Sequence, residues 1–180
     1  MQTKLAPVLL AAALSSFAGA AYADRSDGSD TAIRAVVRCG GNNFLRLGGS
    51  EIQFTSWVVR NFDTDQPITI DRMRVFDANG ATLFDSATSG LPPSDEGSIG
   101  PANSVLGPNQ TAQFNSNDVI AFQAQQTRPI QLEIQWSAFR PALILDAITI
   151  RIGRQRDPAT GAQVAERSRH AIQCRTIAQR

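Results

Sequence analysis

"SWVVRNFDTDQPITIDRMRVFDANGATLF", Ser56 to Phe84, reads as strand, turn, strand, turn, strand. Trp57, Val58 and Val59 sit near the end of a β-prone run from Ile52 to Asn61. "FDTDQP" then breaks that run, because Asp63, Asp65 and Pro67 favour a turn and oppose continued pairing. The pattern resumes from Ile68 to Asp77 with a slip of phase: Ile68 and Ile70 share one face, Met73 and Val75 the opposite one. A bulge near Asp71 and Arg72, or a strand that crosses from one sheet to the other, produces such a slip. Asp77-Ala78-Asn79-Gly80 follows, and Asn-Gly readily takes the positive φ values of a tight hairpin turn, so Ala81 to Asp85 is expected to return antiparallel.

The same period of two extends in both directions. From Thr31 to Cys39, Ile33, Ala35, Val37 and Cys39 alternate with Arg34 and Arg38, the mark of a half-buried strand. "GGNNFLRLGGS" after it reads as a loop, and it lacks the Gly-Lys-Ser/Thr ending of a phosphate loop. Thr111 to Asn115 is a short strand, and Ser116-Asn117-Asp118 is placed to cap a turn of helix through Gln123. Ile130, Leu132, Ile134 and Trp136 alternate with Gln131, Glu133, Gln135 and Ser137 without a fault. Ile148-Thr149-Ile150-Arg151-Ile152 repeats the pattern, which places its isoleucines inward, and Gln163 to Ile172 completes the set.

Between these runs, Ser86 to Gln110 loses all periodicity and collects Gly, Pro, Ser and Asn. Structureless connections of such length are either binding elements or disordered. Seven to eight short strands separated by turn signals predict an all-β chain, an antiparallel immunoglobulin-like β-sandwich.

The N-terminal residues predict an exported protein. Lys4, an apolar run from about Leu5 to Leu14 and Ala21-Tyr22-Ala23 have the order of a secretory signal peptide, and the run is too short for a membrane span. The expected organisation is a signal peptide over 1–23, a flexible leader over 24–30 and one sandwich domain over 31–180 with a long loop at 86–110. The expected location is periplasmic or secreted. The chain has 17 basic and 16 acidic residues; Lys4 is one of the 17, so the mature chain balances and no global field draws in nucleic acid. Locally, Arg140 to Arg180 carries more arginines than carboxylates, which reads as a basic edge or as arginines on the wet face of strands.

Cys39 and Cys174 stand near opposite ends of the chain, and outside the cytosol two such cysteines predict one disulfide between the first and last strands. Two cysteines and one histidine are too few soft ligands for a zinc or copper centre, and no cofactor is expected. His170 is the only histidine; Ser168 shares its strand parity without nucleophile-elbow glycines, so no Ser-His-Asp arrangement is read. Asp63 and Asp65 lack the glycine and terminal glutamate of a calcium hand and read as turn makers. Nothing in the spacing sets Glu51, Glu96, Glu133 or Glu166 against an aspartate for glycoside hydrolysis. Trp57 and Trp136 are core aromatics or a sugar-stacking recognition platform.

From Trp57 onward the order of "VVRNFDTDQPITI", "VFDANG", "LGPNQTAQF", "LEIQW" and "LDAITIRIG" resembles a family of uncharacterised exported bacterial proteins known only as a domain of unknown function. It also resembles the sandwich of water-stress and late-embryogenesis proteins. The resemblance implies a fold and a compartment and brings no catalytic residues. The chain departs from both in its long Gly/Pro loop and its terminal cysteine pair. The expected function is a non-catalytic binding or structural module of the bacterial envelope with a protein or envelope partner. The alternatives are a carbohydrate-binding or hydrolytic domain on the same sandwich, and a subunit of a surface fibre. Oligomeric state stays open.

Overall fold

The computed structural model describes residues 32–120 and 129–179. The signal peptide and leader expected from the sequence lie outside the described residues. The strands are β1 (Ile33–Gly41), β2 (Asn43–Leu45), β3 (Glu51–Asn61), β4 (Ile68–Phe76), β5 (Thr82–Asp85), β6 (Val105–Leu106), β7 (Thr111–Asn115), β8 (Ile130–Ala138), β9 (Leu143–Arg156), β10 (Gln163–Ile172) and β11 (Cys174–Gln179). Two single α-helical turns, α1 (Ser86–Ser89) and α2 (Ser116–Val119), and a 3-10 turn (Leu47–Gly49) complete the set among the described residues. All strand pairs are antiparallel. Sheet A runs β11-β1-β8-β4-β5 with β6 also on β4, and sheet B runs β10-β9-β3-β2 with β7 also on β3. The all-β expectation holds.

One core lies between the sheets. Val37, Leu132, Ile134 and Met73 come from sheet A, and Trp57, Val59, Phe114 and Leu145 from sheet B. Each fully buried large side chain of this kind contributes roughly 1.5–3 kcal/mol. The phase slip in β4 is a bulge: the register against β8 shifts between Ile70 and Arg72, so Asp71 is the extra residue and Met73 and Val75 return to the inner face.

Among the described residues there are eleven strands against the expected seven to eight, in part because two continuous stretches divide between the sheets. Only Asn42 separates β1 in sheet A from β2 in sheet B, and only Gln173 separates β10 in sheet B from β11 in sheet A. "GGNNFLRLGGS" is therefore not simply a loop, since it contains β2. Gly41 is required at the first crossing, where an added Cβ would lie 3.0 Å from Thr55 Oγ1 and 3.1 Å from Trp57 Cζ2. Cys39 and Cys174 sit directly opposite one another beside both crossings and form the expected disulfide, with 4.3 Å between Cα atoms.

The segment 86–110 is ordered and closes the other side of the sandwich. The Asp95 N–H donates to Gln113 O on β7 in sheet B, and the Ile70 N–H on β4 in sheet A donates to Ser104 O. Leu91, Ile99 and Leu106 are buried in the core. Its docking is fixed by Asn61, whose buried amide donates to Gln66 O, Leu106 O and Gly107 O while Oδ1 accepts the Asp63 N–H. Of the helical turn expected through Gln123, α2 starts after Asn115 and ends at Val119, where Ile120 is already extended; residues 121–123 lie outside the described residues.

The phase of β9 also differs from the sequence reading. Leu145, Ala147 and Thr149 face the core, while Ile148 is 39% exposed and Ile144 48% exposed. Thr149 is 4% exposed because its hydroxyl bonds the Thr55 hydroxyl at 2.9 Å, which satisfies both polar groups inside. Ile148, Ile150 and Ile152 consequently belong to the outer face of sheet B.

Candidate functional site

Directly opposed residues of an antiparallel pair share a face, so the registers of β3, β9 and β10 define the outer surface of sheet B row by row. Arg167, Ile152 and Ile52 form one row; Arg169, Ile150 and Phe54 the next; Ala171, Ile148 and Ser56 a third. Alternation along β9 brings Arg154 and Arg156 to this same face, opposite Ala165 and Gln163. The result is an isoleucine and phenylalanine patch bordered along β10 by Arg167 and Arg169 and toward the β9–β10 turn by Arg154 and Arg156. All four arginines are exposed, and none makes an ion pair among the described residues.

The reverse side of the hairpin is anchored instead. Glu51 on β3 accepts from Arg46 (2.7 and 3.1 Å), Gln53 (2.6 Å) and Arg151 on β9 (2.8 Å). The Arg46 hydrogen bonds are the largest influence on this carboxyl; burial opposes them, Gln53 and Arg151 add to them, and its pKa falls to about 2. This polar knot fixes the base of the hairpin on the inner side, opposite the outer arginines. The hairpin tip is set by Asp157, whose Oδ1 accepts the Ala159 and Thr160 N–H groups and whose own N–H donates to Ala162 O.

Sheet A presents a different surface. Glu133 on β8, only 2% exposed, lies between Arg38 on β1 and Arg74 on β4, its direct neighbours in register. Arg38 donates through Nε and Nη2 at 2.8 and 2.5 Å, and Arg74 donates to the other carboxylate oxygen. Burial pushes the Glu133 carboxyl up, and the hydrogen bonds from Arg74, Arg38 and Gln135 outweigh it, so it lies below its ordinary range. Arg72 pairs with Asp85 beside this triad. Most charges on this face are thus neutralised within the sheet, in contrast to the rim on sheet B.

The residues singled out from the sequence fall as follows. Trp57 is 0% exposed and Trp136 3% exposed, so both belong to the core and neither offers a ring to a ligand; the recognition role considered for them is corrected on that ground. Cys39 and Cys174 are bonded to each other. His170 is exposed on β10 opposite Thr149, and Ser168 lies opposite Arg151. Asp63 Oδ1 accepts the Asp65 and Gln66 N–H groups and holds a turn. The arginines of the opening stretch, Arg60, Arg72 and Arg74, are half-buried partners of Asp146, Asp85 and Glu133. Among the described residues no group of three or more His, Cys, Asp or Glu side chains gathers to hold a metal.

Sequence reasoning missed the outward isoleucines of β9 and did not single out Arg154, Arg156, Arg167 and Arg169. Its one signal was the arginine excess after Arg140, which the register turns into a one-sided rim. Compared with known proteins, the chain matches no family model, no curated protein and no solved structure.

Proposed function

We propose that this chain is a non-catalytic, exported binding module of the bacterial envelope, immunoglobulin-like in architecture, that takes a protein partner on the outer face of sheet B. One observation carries the reading: exposed Ile148 and its half-buried neighbours Ile150, Ile152, Ile52 and Phe54 form an outward apolar patch, and the arginines bordering it make no ion pair among the described residues. Apolar patches rimmed by polar groups are the usual chemistry of protein recognition, with arginine among the enriched anchors. The disulfide is compatible with an oxidising compartment. Among the described residues no helix is long and apolar enough to cross a membrane.

Capture from envelope extract tests it with three baits: the native protein, Ile148→Asp, and Ile177→Asp as a control at a still more exposed apolar residue of β11 in sheet A. The reading expects a specific partner to be retained by the native protein and the control and lost with Ile148→Asp. Equal retention by all three would overturn it.

A further inference from the structure

Strand β10 ends sheet B among the described residues. It is ten residues long and exposed along nearly its whole length. Its register against β9 runs unbroken from Gln163 to Ile172, with no bulge and no proline. Among the described residues no backbone hydrogen bond reaches its other side. Natural sheets usually blunt such an edge by shortness, a bulge, proline, a covering segment or charged side chains. Among the described residues β10 has only the last of these, chiefly Arg167 and Arg169, two residues apart on the outer face, so a strand of complementary charge is the one it admits.

We propose that β10 receives an extended segment of the protein partner as an added strand, and that this segment carries acidic residues at alternate positions facing Arg167 and Arg169. The proposal rests on the reading of sheet B as a protein-binding face and names the chemistry of its partner. Strand addition supplies affinity through main-chain hydrogen bonds, and alternate side chains supply selectivity. Two acidic residues separated by one neutral residue match the arginine spacing. The intervening position meets Ser168 on the inner face, and Glu166, two residues before it, repels a further carboxylate there.

Charge also decides against a second copy as the occupant. Two-fold antiparallel pairing of β10 with itself joins residues of the same face, so the symmetry axis passes between one residue and its own copy. The registers that use the whole strand centre on Arg167 or Ser168. The first sets Arg167 against its own copy, and the second sets Arg167 against Arg169 twice. Like charges directly opposite one another are destabilising. The same arginines therefore discourage self-association and select an acidic strand.

Amide hydrogen exchange on the full mature chain tests the proposal with two synthetic peptides, TVEVEVT and its charge-reversed form TVKVKVT, and with anionic vesicles of phosphatidylglycerol and phosphatidylcholine. At about ten times its dissociation constant, TVEVEVT is expected to slow exchange at alternate β10 amides about tenfold. TVKVKVT does so only with the Arg167→Glu/Arg169→Glu variant. Methylating alternate peptide nitrogens on the side that pairs with β10 abolishes the effect. Absence of slowing at millimolar peptide overturns the proposal, as does binding indifferent to N-methylation, or vesicle binding in place of peptide binding. If Ile148→Asp still abolishes partner capture while β10 amides stay unprotected by the partner, strand addition fails and the binding face survives. If capture ignores Ile148→Asp, the underlying reading fails first.

Discussion

Trp57 on β3 stands directly opposite Ala147 on β9, and this pair decides which side of β9 reaches solvent. The indole is fully buried, and only a small side chain fits across from it; Ala147 is 2% exposed. Turning Ala147 inward sends Ile148 out, and with it the rest of the apolar patch. Ala147→Leu is therefore expected to lower stability by about 1–3 kcal/mol through overpacking, whereas Ile148→Ala next to it costs below about 1 kcal/mol. Urea unfolding of the two variants measures both, and the reverse order would contradict the assigned faces.

The Arg38–Glu133–Arg74 triad makes a second prediction. Removing one partner of a buried ion pair leaves uncompensated charge, at a cost of about 3–5 kcal/mol when all groups are buried. Here the arginine side chains are 39% and 26% exposed, so solvent screens what remains. Glu133→Ala is expected to destabilise by about 2–3 kcal/mol on that discounted scale. Glu133→Gln, which keeps an acceptor, is expected to cost less, and denaturant midpoints rank the two.

Acid should weaken the fold in a defined window. Glu51, ordinarily 4.5, is held at about 2, chiefly by the Arg46 hydrogen bonds. Asp85, ordinarily 3.8, is held at about 2 by Arg72 first and by the Ala87 N–H next. A carboxyl whose pKa is depressed on folding contributes stability above its unfolded pKa and loses it as pH falls through the folded one. Stability should stay level down to about pH 5 and then decline toward about pH 2. Thermal melts across this range check it, and the Glu51→Gln/Asp85→Asn variant should show a shallower decline.

The Cys39–Cys174 bond spans 135 residues of sequence, so it restricts nearly the whole unfolded domain. The chain-entropy model gives about 4–5 kcal/mol for a loop of this size, an upper figure. The Cys39→Ala/Cys174→Ala variant is expected to unfold at clearly lower urea concentration. Native protein should titrate no thiol at either position.

Much of this architecture was legible in local pattern. The alternation of Ile130–Ser137, the turn at Asn79-Gly80, where Gly80 takes the positive φ, and the slip at Asp71 each express a short-range rule: pleat parity, glycine's conformational range, one extra residue. The cysteine pair was legible by count alone, since two cysteines allow one bridge. The phase of β9 was not legible, because "LILDAITIRI" offers apolar residues on both parities and the choice depends on Trp57 across the sheet. Nor was the order in 86–110, since Leu91, Ile99 and Leu106 enter the core without any period. The candidate site shared that fate. Arg154, Arg156, Arg167 and Arg169 become one rim only through the β9–β10 register, which no local signal fixes.

Photo-crosslinking in intact cells tests the central claim most directly. A photoreactive amino acid is placed at Ile148 on sheet B in one variant and at Ile177 on sheet A in another, both exposed apolar residues in the native protein. The account predicts a discrete protein adduct from position 148, suppressed by Arg167→Glu/Arg169→Glu, and none from position 177. Adducts of equal yield from both positions, or from 177 alone, would contradict it.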